Sequence, residues 1–167
     1  ADGAELEENS DYTWSARACD GFAIGPEAGG SFFFNEIDEP PSAPVLYEPF
    51  HDDEDLPMEV ELVWACASDA DRDAVSYELE VRVQGESRPF LVEAVEPCEP
   101  GAELARYTVA GGLAPDRWYE WTVHAVDEEG LRTTAVGRPA DEGEDEAPGP
   151  PWAFLINPDN ECPSAPV

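Results

Sequence analysis

The chain is predicted to be all-β, a series of two-layered β-sandwich modules of which one is complete and one partial. Three observations predict this. Long segments alternate apolar and polar residues with a period of two, the chain is similar to itself at a fixed spacing, and no segment of length shows a helical period.

The alternation is clearest in the middle of the chain. Val60, Leu62, Trp64 and Cys66 alternate with Glu59, Glu61, Val63 and Ala65. Tyr77, Leu79, Val81 and Val83 alternate with Ser76, Glu78, Glu80 and Arg82, and Tyr119, Trp121, Val123 and Ala125 alternate with Glu120, Thr122 and His124. Each run makes a strand with one buried and one wetter face. Shorter candidate strands lie at 45–47, 89–92, 105–109 and 152–156, separated by clusters of Gly, Pro and Asp that favour turns.

The self-similarity sets the domain organisation. Leu6-Glu7-Glu8-Asn9-Ser10-Asp11-Tyr12 aligns with Leu113-Ala114-Pro115-Asp116-Arg117-Trp118-Tyr119, at an offset of 107. The copies continue into Ala18-Cys19-Asp20 with Gly21, and into Ala125-Val126-Asp127 with Gly130. A second block, Phe32-Phe33-Phe34-Asn35 with Pro41-Ser42-Ala43-Pro44-Val45, recurs as Phe154-Leu155-Ile156-Asn157 with Pro163-Ser164-Ala165-Pro166-Val167, now at an offset of 122. The second copy therefore carries fifteen extra residues around Arg138 to Pro151. The expected organisation is the C-terminal part of one module over 1–39, a Pro-rich junction over 40–44, a whole module over 45–157 and, over 158–167, a junction to a following module. Modules in series are the mark of an array. Ala1 falls inside a module on this reading, so the native N-terminus is expected elsewhere.

Pro41-Ser42-Ala43-Pro44 before the first strand, Trp64 on the second, Tyr77 on the third, and Leu113-x-Pro115-x-x-x-Tyr119 together resemble the fibronectin type III pattern, of a kind found in bacterial extracellular and surface proteins. The resemblance implies an Ig-like sandwich with strand A at 45–47, B at 59–66, C at 76–83, C′ at 89–92, E at 105–109, F at 119–125 and G at 152–156. It implies a tyrosine corner, in which Tyr119, and Tyr12 in the partial module, bond back to backbone near the turn from E to F. Residues 1–39 then supply only strands F and G. That leaves Tyr12, Trp14 and Phe32 to Phe34 without an opposing sheet, to be completed by upstream residues or by strand donation from a neighbouring molecule. One departure, Asp127-x-x-Gly130 with Asn157-Pro158-Asp159-Asn160, resembles the calcium-bridged junctions of cadherins; Trp64 and the tyrosine corner favour fibronectin type III.

With this topology the end of B and the start of E share a pole, which implies a disulfide between Cys66 and Cys98. Cys19 is expected to seek the missing part of its own module, and Cys162 the following module or another molecule. Oxidising, extracellular or cell-surface surroundings are implied.

The chain carries 39 acidic residues against eight basic ones, all Arg, for a formal charge of −31. Nucleic acid and anionic lipid are poor partners for such a surface. Asp69, Asp71 and Asp73, in the loop between B and C, have the alternating carboxylates that Ca²⁺ prefers. Together with Glu36 and Asp38 before the junction they form the candidate metal residues; Glu39 and the F–G loop acids Asp141, Glu142, Glu144, Asp145 and Glu146 are expected to converge on the same pole, where carboxylates repel unless cations intervene. No cofactor is required, with Ca²⁺ the candidate ion, and adaptation to salt is a competing account of the charge. His51 and His124 have no nucleophile at a telling spacing, and no phosphate loop, Cys-x-x-Cys or His-x-x-x-His is present, so catalytic residues are not expected. Trp118 and Trp152 are candidates for stacking on sugar rings. The function expected is that of a structural or adhesive repeat, whose partners are neighbouring modules, copies of itself in a fibre, or a surface glycan or protein. The alternative is a carbohydrate-binding or spacer module of an exported hydrolase.

Overall fold

The structure, a computed structural model, describes residues 5–138 and 149–158. All regular secondary structure in them is β-strand, so the chain is all-β as predicted. It divides into two compact units, Ala1–Glu39 and Pro40–Val167.

The first unit is an antiparallel ribbon of β1 (Ser10–Cys19) and β2 (Ile24–Phe34), with Tyr12 opposite Phe32 and Ser10 opposite Phe34. Its turn is set by local chemistry. Asp20 Oδ1 accepts from the amides of Phe22 and Ala23, both at 2.9 Å, and Gly21 takes a left-handed φ of 90°, which costs glycine little. Those two N–H donors, Phe22 first, hold the Asp20 carboxyl below its ordinary pKa. Trp14 lies opposite Gly30, where an added Cβ would meet the indole Nε1 at 2.9 Å. The ring therefore fills the space that a side chain at position 30 would take.

The second unit is a two-sheet sandwich. One sheet, in the order β11-β3-β5-β8, holds β3 (Val45–Glu48), β5 (Val60–Ala65), β8 (Leu104–Val109) and β11 (Val136–Gly137). The other, β4-β12-β9-β6-β7, holds β4 (Asp53–Leu56), β6 (Ser76–Val83), β7 (Leu91–Val95), β9 (Arg117–Val126) and β12 (Trp152–Ile156), with β10 (Arg132–Thr134) added beside β9. In module lettering β3, β5, β6, β7, β8, β9 and β12 are A, B, C, C′, E, F and G. The inward residues of the alternating runs form the shared core. Trp64, Tyr77, Tyr119, Trp121, Trp152 and Phe154 are each no more than 2% exposed, and each aromatic ring of this size buries roughly 150–250 Å². Edge-to-face contacts join Trp64 to Tyr77 at 5.6 Å and Trp121 to Trp152 at 6.5 Å.

Strand G is broken, and the break accounts for the change of offset in the sequence repeat. β10 pairs with the far end of β9, Thr134 opposite His124, and the Ala135 amide bonds to the Val123 carbonyl. The chain then crosses to the other sheet, where Val136 lies beside Val45. An uninterrupted hairpin would bring Gly137 opposite Trp121. Trp152 takes that place, fifteen residues later. The first strand switches sheets as well, β3 pairing with β5 and β4 running parallel to β12.

The structure corrects the sequence reading in three places. The C′ strand lies at Leu91–Val95 rather than 89–92, because Phe90 turns onto Tyr119, with ring centroids 5.6 Å apart, and covers Gly112. The short β4, β10 and β11 were not foreseen. Trp152, expected as an exposed ring, is fully buried between Phe50 and Trp121, because it shares the inward face of its strand with Phe154 and Ile156.

Candidate functional site

The loop from β5 to β6 gathers the most chemistry. Asp69, Asp71 and Asp73 each offer a carboxylate oxygen, and these oxygens lie within 4.8 Å of one another. Asp71 is buried, and its amide donates to Asp69 Oδ1 at 2.7 Å. Arg72 holds a left-handed φ of 71°, which turns the chain sharply between the second and third carboxylates. Like charges this close repel strongly unless a cation or solvent screens them.

The loop is anchored beneath by Tyr77, whose hydroxyl accepts from the Ala67 amide at 2.9 Å and touches Cys98 Sγ at 3.3 Å. Burial raises the Tyr77 phenol above its ordinary pKa, against the smaller lowering effect of the Ala67 N–H. Cys66, just past β5, is joined to Cys98 by a disulfide with Cα atoms 6.3 Å apart. The bridge ties the end of strand B to the segment between C′ and E.

At the other end of the module Tyr119 Oη accepts from the Ala114 amide at 2.8 Å. In the first unit Tyr12 Oη accepts from the Glu7 amide, again five residues back. Glu36 and Asp38 are exposed on the segment after β2, where the amides of Glu36 and Ile37 donate to Glu8 Oε1. Cys19 is a free, exposed thiol at the end of β1. Cys162 and the acidic residues 141–146 lie outside the described residues.

The histidines have structural partners. His51 Nδ1 accepts from the Ala153 amide at 3.1 Å. His124, on the outward face of β9, is mostly covered, with Nδ1 3.0 Å from Thr134 Oγ1 and Nε2 3.8 Å from Glu80. Burial lowers its pKa, assisted by the Arg132 guanidinium and opposed by Glu80 and Glu78. Arg132 bridges Glu78 and Glu80, Arg82 pairs with Glu120 at 2.8 Å, and Arg106 with Glu61 at 2.6 Å. Arg82 and Glu120 lie directly opposite on β6 and β9, an arrangement that stabilises a sheet, whereas Arg132 on β10 reaches β6 across the intervening β9.

A cleft of about 400 Å³ opens where the first strand switches sheets, lined by Tyr47, Phe50 and Leu56 together with Glu48, Asp53 and Glu59. On the ribbon, Trp14 and Phe32 are 50% and 43% exposed. Trp118 is half-buried on the outward face of β9.

No protein-family model and no curated protein matches the chain. Among solved structures, the FN1–FN3 domains of chicken CNTN1 align with it at a TM-score of 0.45 and 14% identity. The alignment covers 91% of this chain and 46% of that one, so the chain spans less than half the length of that neighbour.

Proposed function

We propose that the chain is a structural or adhesive segment of a secreted or cell-surface protein built from sandwich modules in series, and that it carries no catalytic centre. The observation that supports this reading best is the recurrence of one supersecondary unit in both halves. The same tyrosine-anchored corner leads into the same aromatic ribbon, as expected when a chain grows by repeating one structural unit. The disulfide fits an oxidising compartment. The sugar-binding alternative loses one of its two aromatic candidates with the burial of Trp152.

Antibodies raised against the chain should label intact cells of the source organism, and brief protease treatment of those cells should remove the label. Label that appears only after lysis would sink the proposal.

The reading extends to cations. Ca²⁺ is proposed to be held by Asp69, Asp71 and Asp73, supported by the mutual approach of their oxygens and by the preference of this hard ion for carboxylates. Titration at physiological salt should raise the melting temperature, and Asp71→Asn should abolish the rise. An equal rise in NaCl of matched ionic strength would assign the effect to general screening.

A further inference from the structure

Residues 5–34 reproduce the corner and ribbon that close the second sandwich. Asn9 and Asp116 occupy equivalent places and hold left-handed φ values of 54° and 56°. Tyr12 and Tyr119 each accept from an amide five residues upstream. Tyr12 lies opposite Phe32 and stacks on it at 5.6 Å with a 23° interplanar angle; Tyr119 lies opposite Phe154 and stacks at 5.8 Å with 25°. Asp20 with Gly21, and Asp127 with Gly130, turn the two ribbons through side-chain bonds to backbone N–H groups and a glycine φ near 90°.

What differs is the cover. In the second unit this face lies beneath β3, β5 and β8, and Tyr119, Trp121 and Phe154 are at most 1% exposed. On the ribbon Trp14 and Phe32 are about half open, and Leu6 is 41% exposed where its counterpart Leu113 is 6%. The edges differ too. β9 pairs with β6 on the side away from β12, whereas β1 pairs only with β2 among the described residues.

We infer that the aromatic face of β1 and β2 is a docking surface for a three-stranded sheet built like β3-β5-β8, with a strand equivalent to β6 on the outer edge of β1, all carried by the polypeptide leading into the Leu6–Asn9 corner. The source follows from the corner. In the second unit the chain leaves β8 at Val109 in one sheet, passes Leu113–Asp116, and enters β9 in the other. A chain already bent into that joint, tyrosine bond included, arrives from the opposing sheet. A second copy cannot lend its own β3-β5-β8 sheet, because that face is closed by its own β9 and β12, with Leu62 and Trp64 at 0% exposure. The inference deepens the serial-module reading and rests on it only for the kinship of the two units.

Hydroxyl-radical footprinting read by mass spectrometry tests it, comparing the 167-residue chain with the native polypeptide isolated intact from its source. In the 167-residue chain Trp14 and Phe32 should oxidise far more readily than Trp121 and Phe154. In the native polypeptide the difference should be lost, with Trp14 as protected as Trp121 at every protein concentration. A native polypeptide in which Trp14 is labelled as strongly as before overturns the inference, as does protection that disappears on dilution, which would make a second molecule the cover. An intact mass too small to hold a further set of strands overturns it as well. None of these results bears on whether the protein is displayed at the cell surface, which the labelling of intact cells decides separately.

Discussion

The Cys66–Cys98 bridge allows a quantitative test of how the second unit is held together. It closes a loop with a sequence separation of 32 that contains the whole of β6 and β7. Cross-linking a loop of that length removes conformational entropy from the unfolded chain worth about 3.7 kcal/mol at 25 °C on the chain-entropy model. Replacing both cysteines by Ala, in a background with Cys19 and Cys162 changed to Ser to prevent exchange, should therefore lower the unfolding free energy by roughly 2–4 kcal/mol. In urea, with an m-value of about 1–3 kcal/mol/M, the midpoint falls by about 1 M or more while m itself rises, because the unfolded chain expands. Tyr77 sharpens the test. Its hydroxyl touches Cys98 Sγ and holds the Ala67 amide, so Tyr77→Phe in the bridged protein should cost only about 1 kcal/mol, the worth of one partly buried hydrogen bond. A bridge-less variant that loses less than about 1 kcal/mol would refute the loop-closure argument and leave strand pairing as the principal restraint on β6 and β7.

Tyr119→Phe should destabilise the second unit by about 1 kcal/mol in urea titration, since the half-buried Ala114 amide loses its partner as the Ala67 amide does in Tyr77→Phe, whereas Tyr12→Phe should leave that transition unchanged. Trp152→Ala should cost about 3–5 kcal/mol as a core truncation, and Trp118→Ala well under half of that; similar losses for both would contradict their placement. For His124 the folded pKa lies below the unfolded one, chiefly through burial, so the unfolded chain binds more protons between the two values. Stability at neutral pH should fall as the pH is lowered from about 7 through that window, and His124→Gln should flatten this part of the profile without altering the carboxylate region below it.

The fold was legible in the sequence because β6 and β9 each bury one face, and β5 does so except at Val63, which was expected on the wetter face and is buried too. Trp64, Tyr77 and Trp121 announce their inward side by alternation alone, and the register jump of strand G could be counted from the repeat before any pairing was known. β4 was not legible. Asp53-Glu54-Asp55-Leu56 has no apolar alternation, and it is held from outside, by parallel pairing with β12 and the bond from the Phe50 amide to Asp53 Oδ2. β10 and β11 are three and two residues long, too short to carry a period. Trp152 could have been placed correctly, since a period of two sets it on the side of Phe154 and Ile156. Of the site residues, Asp69, Asp71 and Asp73 are named by their spacing, but neither the left-handed Arg72 between the last two nor the bond from the Ala67 amide to Tyr77 is announced by a local pattern.

The broken strand G itself makes a demanding test of this reading. The first unit shows that the ribbon needs no interruption, for β2 runs unbroken from Ile24 to Phe34 against β1. Excising residues 137–151 from the second unit would join Val136 to Trp152 and bring the two registers of β10 and β12 against β9 into one. The phase is right. Ala135 is buried opposite inward-facing Val123, Val136 would fall opposite outward-facing Thr122, and Trp152 would stay opposite Trp121. The excision forfeits the short parallel pairing of β11 with β3, at about 0.5–1.5 kcal/mol per hydrogen bond, and regains part of that by removing the closure entropy of a long loop. The shortened protein should therefore fold, keep its disulfide, and unfold within about 2 kcal/mol of the parent in urea. An excised protein that fails to fold, or that exposes Trp152 to acrylamide quenching, would mean that the crossing to β3 is what seats strand G, and that the two units resemble each other less closely than their pairing implies.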